Sequence, residues 1–228
     1  ILGGMMWMRM QKRTVENAVD LSLLGLDKIE ETGEGIRIGA YVSLRQLETS
    51  PLLLEYTEGA IKTALCPIVG VQFRNGATLG GSIWGRFGFS DVETVFTALG
   101  ADVVLAGKGQ VPMVEFIKNG APKDLLTHII LPKKAPDAFA VNAHRNSATD
   151  FPVITTAVCR RGDNVRVTVS PAPARGYTED FSATDMPEIA GNIMKNLKFL
   201  ASASASLEYK EHLARVLIGR GVKAVGGQ

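Results

Sequence analysis

Two glycine pairs are the residues here whose type and spacing most suggest chemistry. Gly3-Gly4 lies in "ILGGMMWMRM" and Gly80-Gly81 in "NGATLGGSIWG", each after apolar chain. The second stretch holds four glycines in eleven residues, although a glycine pair costs backbone entropy on folding. Bare N–H groups in such turns can form an anion-binding nest. A pyrophosphate held between two of them would need little help from lysine, and both regions are almost free of lysine. The same glycines would also suit two purely structural turns. Trp7 and Trp84 stand next to the turns, either as packing residues or as a wall for a planar ligand. Ser90-Asp91 reads as a helix cap rather than as catalytic residues.

Other chemistries lack their motifs. No G-x-G-x-x-G leads from a strand into a helix, no Gly-Lys-Ser/Thr occurs, and there is no G-x-S-x-G elbow. Cys66 and Cys159 are far apart in apolar settings and read as two buried free thiols. Without C-x-x-C no iron–sulfur or zinc site is encoded, and His128, His144 and His212 share no ligand spacing.

The elements that must position the turns follow from periodicity. "TVENAVDLSLLGL" has helical spacing with Thr14 as N-cap, and "DKIEETGEGIRIGA" reads as a hairpin turning near Glu34-Gly35. Ser43 and Gln46 form a capping box, and helical segments continue past Leu65. Ala77, Thr78, Leu79 and Ile83 read as a strand broken by Gly80-Gly81. Asp91 caps a helix with Val92, Val95, Phe96 and Leu99 on one face, ended by Gly100. A hairpin in "ADVVLAGKGQVPM", a short helix in "VEFIKNG" and a strand in "DLLTHIILP" follow. "KKAPDA" marks a boundary, then a hairpin turns at Gly162-Asp163 and the end is helical. Hairpins outnumber β-α-β crossovers, which argues α+β.

Composition narrows the class. An apolar fraction of 46% can build a real core, while a net charge of +2 with no basic run leaves no nucleic-acid footprint. No apolar stretch approaches bilayer length and no signal peptide is visible. Together with the cysteine usage, this leads us to expect a cytoplasmic protein.

Four ordered motifs, spanning residues 1 to about 222, resemble one family: the FAD subunit of molybdenum hydroxylases, which includes xanthine dehydrogenase and carbon monoxide dehydrogenase. "LGGMMWMRM" resembles its first flavin-binding loop, and "FRNGATLGGSIWGRFGFSDVETVFTALGADVVL" resembles its second, ending in Ser-Asp before a helix. "DLLTHIILP" resembles the strand closing that domain, and "SASLEYKEHLARVLIGR" the C-terminal helix. The resemblance implies a vanillyl-alcohol oxidase/PCMH-type FAD-binding domain over 1–134. A smaller α+β domain with a three-stranded antiparallel sheet and helices would occupy 135–228. Gly3, Gly4, Met5, Met6 and Trp7 would approach FAD from one side. Gly70, Ala77, Thr78, Gly80, Gly81, Ser82 and Trp84 would approach it from the other, with Gly80 and Gly81 at the pyrophosphate. Ser90 and Asp91 would contact the ribityl or adenosine portion, and Leu125, Asn142 and Arg145 would complete the site.

By the same resemblance the chain is an electron-transfer subunit with no catalytic acid or base of its own. It would partner a molybdopterin-binding large subunit and a 2Fe–2S small subunit and pass electrons through FAD to NAD+ or another acceptor. A free-standing FAD oxidoreductase and a flavin-free scaffold are the alternatives. Three departures stand out. The family's opening strand and helix do not precede the first loop, so the resemblance implies an N-terminally incomplete chain. Ser82 replaces a usual Asn, and Asn142 a usual Lys. Arg145 is then expected beside the flavin, raising its potential.

Overall fold

The computed structural model describes residues 1–12, 14–120, 123–172 and 175–226 of the chain. Two antiparallel sheets organise it. The first has strands in the order β1-β2-β5-β3-β4 and the second β6-β7-β8-β9. In chain order the first half runs β1 (Ile29–Glu31), β2 (Gly35–Gly39), α1 (Leu44–Thr49), α2 (Pro51–Tyr56), α3 (Ala60–Leu65), α4 (Val71–Gly76), α5 (Leu79–Gly85) and α6 (Asp91–Ala98). β3 (Asp102–Leu105), β4 (Gly109–Pro112), α7 (Met113–Lys118) and β5 (Leu126–Pro132) complete the first sheet. The second half holds β6 (Ala138–His144), β7 (Ile154–Arg161), β8 (Asn164–Ser170), β9 (Tyr177–Ser182), α8 (Ile189–Asn196) and α9 (Leu207–Gly226). The fold is α+β, and none of the described helices is long and apolar enough to cross a membrane.

Local signals set most boundaries. The Ser43–Gln46 capping box starts α1, and Gly100, at φ +67, ends the α6 turn. Val92, Val95, Phe96 and Leu99 are buried as their spacing demands, but the cap is Ser90, whose hydroxyl accepts the Glu93 N–H.

Four expectations are corrected. Leu79–Gly85 is helix, not broken strand; the Thr78 hydroxyl caps it by accepting the Gly81 N–H. Residues 14–21 form no helix, and only a 3-10 turn, Ser22–Leu24, follows. Val15, Val19, Leu23 and Leu24 stay exposed there, and an apolar face without a partner surface does not hold a short helix. Cys66 is exposed where α3 ends, while Cys159 is buried. The second sheet has four strands rather than three, because β6 and β9 flank the Gly162-Asp163 hairpin.

That sheet is buried on both faces. Phe139, Val141 and Cys159 point into the core of the first half. Ala138, Ala140 and Val158 point into a second core closed by α8 and α9. The two-residue period of a strand sends alternate side chains to opposite faces. α6 lies against β7 and β8, so it joins the halves. Thr94 Oγ1 on α6 meets Ser170 Oγ at 2.7 Å, and the Tyr56 hydroxyl donates to the Pro132 carbonyl while accepting from Arg161.

One buried ion pair holds the segment that leads into the second glycine turn. Arg74 on α4 donates from Nε to Glu48 Oε2 on α1 at 2.8 Å, and the two residues are 3% and 2% exposed. Arg74 also donates to the Ile68 carbonyl, and Arg45 donates to Glu48 Oε1. Removing Arg74 leaves the buried Glu48 carboxylate with Arg45 alone, so Arg74→Ala is expected to cost about 3 kcal/mol in denaturant unfolding. Arg74→Ala with Glu48→Ala should cost less than the sum of the single changes, and strict additivity would show that the pair is not coupled.

Candidate functional site

The two glycine turns meet. An ideal Cβ on Gly4 would fall 1.7 Å from the Gly76 carbonyl oxygen, and one on Gly76 would fall 2.8 Å from Met6 Sδ. The turns thus interlock backbone against backbone, a contact only glycine permits. Between them opens a cleft of about 390 Å³. Its walls are the 1–8 segment, α5, the start of α6 and the loop 145–152 from the second half.

The turns are not equivalent. Among the described residues, the N–H groups of Gly3, Gly4, Met5, Met6 and Trp7 have no protein acceptor. Met5 sits at φ +55, the left-handed conformation that turns successive N–H groups into one concavity. The second turn has spent its donors. Leu79 donates to the Val42 carbonyl, Gly80 to Ala40, Gly81 to Thr78 Oγ1 and Ser82 to the Thr78 carbonyl. Gly80 does not reach the cleft. It is buried, and a Cβ there would come 2.7 Å from Ala40 Cβ. Its glycine serves packing of α5 on the chain after β2, one layer beneath the cleft. Gly81 is exposed and lines the cleft.

Most of the other expected residues are brought together. Met5, Met6, Trp7, Ala77, Thr78, Ser82, Trp84, Ser90, Asp91 and Arg145 line the cleft along with Gly3, Gly4 and Gly81. Gly70, Leu125 and Asn142 do not. Gly70 is the N-cap of α4, beside the cleft residue Val69. Leu125 is tied to β3, its carbonyl accepting from Ala106. Asn142 lies with Nδ2 3.4 Å from where a Gly221 Cβ would stand, so it faces α9.

Arg145 stands at the cleft in a buried ion pair. Its side chain is 8% exposed, and Nη2 donates to Asp91 Oδ2. Thr155 Oγ1 donates to Asp91 Oδ1 at 2.6 Å, and Arg145 Nε donates to the Asp150 carbonyl at 3.1 Å. The Asp91 carboxylate is therefore occupied by protein, and the guanidinium is neutralised beside it. The Ser90 hydroxyl is likewise engaged as the α6 cap.

An aromatic cluster at the cleft had been only half visible in the sequence. Trp7 stacks on Phe151 at 5.8 Å between centroids and lies 6.0 Å from Phe87. Phe89 contacts Phe151 at 4.3 Å and stacks on Phe87 at 5.4 Å. The run "RFGFS" hints at Phe87 and Phe89, but nothing near Phe151 in the sequence marks it as their neighbour. The arrangement offers free backbone donors for an anion and, adjoining them at Trp7, an aromatic wall for a planar ring. Those are the two requirements of a flavin dinucleotide, and the residues present fit it.

Residues 2–134 match the family described as the FAD binding domain in molybdopterin dehydrogenase. No curated protein matches the chain. Solved structures with the same fold include quinoline 2-oxidoreductase from Pseudomonas putida 86, with a TM-score of 0.75 at 18% identity over 89% of this chain and 79% of that one. Carbon monoxide dehydrogenase from Hydrogenophaga pseudoflava, in a form lacking the Mo-pyranopterin moiety of its cofactor, gives 0.76 at 20% over 88% and 78%. Reconstituted CO dehydrogenase from Oligotropha carboxidovorans gives 0.75 at 19% over 88% and 78%.

The interlock of the turns predicts the effect of one methyl group. Gly4→Ala must lift the 3–7 segment off Gly76, at about 1–3 kcal/mol by the cost of overpacking. Amide hydrogen exchange should rise in residues 3–8 and 76–78, with the second half unchanged. Unaltered exchange in both segments would show that the turns are not pinned to each other.

Proposed function

This chain belongs to the family of FAD-binding domains in molybdopterin dehydrogenases, and we propose that it serves as the flavin-carrying electron-transfer subunit of a molybdenum hydroxylase. Residues 1–134 form the flavin-binding domain in this reading, and 135–228 a smaller domain that closes over it. The partners are a molybdopterin-binding large subunit and a 2Fe–2S small subunit. FAD held on this chain would link the 2Fe–2S clusters of the partner to NAD+ or another acceptor.

The row of unpartnered N–H groups from Gly3 to Trp7 carries this reading. It supplies neutral donors for a pyrophosphate, where the cleft offers one buried, already paired arginine. Gly81 and Ser82 form the facing wall and approach without a large side chain. Trp7, Phe87, Phe89 and Phe151 exclude water and give the ring system an apolar face. Arg145 acts through Asp91 as a positioning residue, holding the 145–152 loop at the cleft. FAD, when bound, supplies the redox chemistry, and the protein supplies position and electrostatics. No side chain at the cleft is assigned a proton-transfer role.

The purified chain should be yellow, and acid precipitation should release all of its flavin, since neither His nor Cys lines the cleft among the described residues. Colour retained in the pellet would mean a covalent bond. Gly81→Asp places a carboxylate against the pyrophosphate position, where like charges repel by several kcal/mol (about 4 at close range near a protein surface). It should lose FAD while far-ultraviolet circular dichroism stays unchanged, and full occupancy in the variant would overturn this placement. The isolated chain should be slowly reduced by NADH yet hydroxylate no purine or aldehyde. Hydroxylation without a molybdenum partner would sink the subunit reading.

A further inference from the structure

Helix α6 separates two cavities. Ser90, Asp91 and Val92 line the cleft described above, whereas Glu93, Thr94 and Thr97 line a second one of about 600 Å³. Val114, Ile117 and Lys118 of α7 form its opposite wall, and Thr168, Arg175 and Tyr177 of the second half close it.

Glu93 is the unusual residue there. It is 2% exposed, and its Oε2 has no hydrogen-bond partner among the described residues. Buried polar atoms are nearly always paired, so an orphaned carboxyl oxygen facing a cavity points to an absent guest. Burial pushes the Glu93 carboxyl up to about 7, against the opposing pull of the Gly176 N–H, Arg86 and Arg175.

The charges around it define the guest. Arg86, at the C-cap of α5, lies with its guanidinium carbon 4.0 Å from the Phe116 ring centroid, its three nitrogens buried and without a partner among the described residues. Arg175 donates to the carbonyls of Ile117 and Lys118, and Lys118 itself lines the cavity. The Tyr177 hydroxyl is spent on Glu179, and Asp91, on the same helix as Glu93, is spent on Arg145 and Thr155. Two guanidinium groups thus act on one carboxyl, and a site of that balance selects an anion. The planar fork of an arginine matches a carboxylate, and Val114 and Ile117 supply apolar surface for a carbon skeleton.

We propose that this second cavity binds a small organic carboxylate, held between Arg175 and Glu93 with its carbon skeleton on Val114 and Ile117. Glu93 donates its proton to the guest carboxylate, because two ionised carboxylates cannot share the position. Binding therefore favours protonated Glu93. Affinity is full below the Glu93 titration and falls as pH rises through it. The site lies across α6 from the flavin cleft, and its occupancy does not depend on the flavin assignment.

Calorimetry of the full chain with benzoate tests this, using the protein as purified with any flavin it holds. Saturable binding at one site is expected, about tenfold weaker near pH 8 than near pH 6 by proton linkage. Glu93→Gln mimics the protonated acid, so it should bind benzoate with that pH dependence gone. Arg175→Ala should bind at least about tenfold more weakly, having lost a charge-assisted contact. Absence of saturable benzoate binding, an unchanged pH dependence in Glu93→Gln, or tighter binding of inorganic phosphate than of benzoate would each overturn the proposal.

Discussion

The buried contact among Asp91, Arg145 and Thr155 is the constraint on which the cleft depends. Asp91 starts α6, Thr155 lies on β7, and Arg145 follows β6, so one carboxylate ties the two halves together. A charge at 6% exposure survives only if it is paired and hydrogen-bonded. Both oxygens meet that demand from the second half. Arg145 passes the constraint on through Asp150, and the adjoining Phe151 is thereby set against Trp7 and Phe89. The aromatic wall of the cleft is in this sense a consequence of an ion pair.

The glycines divide the remaining work. Gly4 and Gly76 allow two backbones to touch, and Gly80 lets α5 sit on Ala40. These are packing roles. The donors available to an anion lie on the Gly3–Trp7 segment, because the N-terminal turn of α5 has found its acceptors in Ala40, Val42 and Thr78. A glycine pair in sequence therefore marks close approach without saying what approaches. Here one pair sits at the cleft and half of the other lies beneath it.

α6 is short and almost wholly buried, and this is why both cavities border it. Ser90, Asp91 and Val92 at its start face the cleft, and Glu93, Thr94 and Thr97 face the second cavity. A rigid helix shared between two walls gives each a fixed spacing from the other. Its position rests on apolar burial of Val92, Val95, Phe96 and Leu99 rather than on the polar groups that it displays.

The sequence alone determined what depends on near neighbours. The Ser43 capping box, the hairpin of β1 and β2, the apolar face of α6 and the long C-terminal helix are local patterns, and each formed as its pattern required. The glycine turns, too, are local signals, and residues of both pairs line the cleft. Tertiary structure decided whatever needed a partner from far along the chain. The apolar spacing over 14–24 made no α-helix because no surface covers it, and Leu79–Gly85 became helix once Ala40 and Val42 accepted its first N–H groups. Arg145 at the cleft pairs with Asp91, and Asn142 turned to α9, since strand alternation fixed its face. Periodicity reports which side of an element is apolar. Only the packed fold settles which element meets that side, because burying a donor or a charge makes a distant acceptor obligatory.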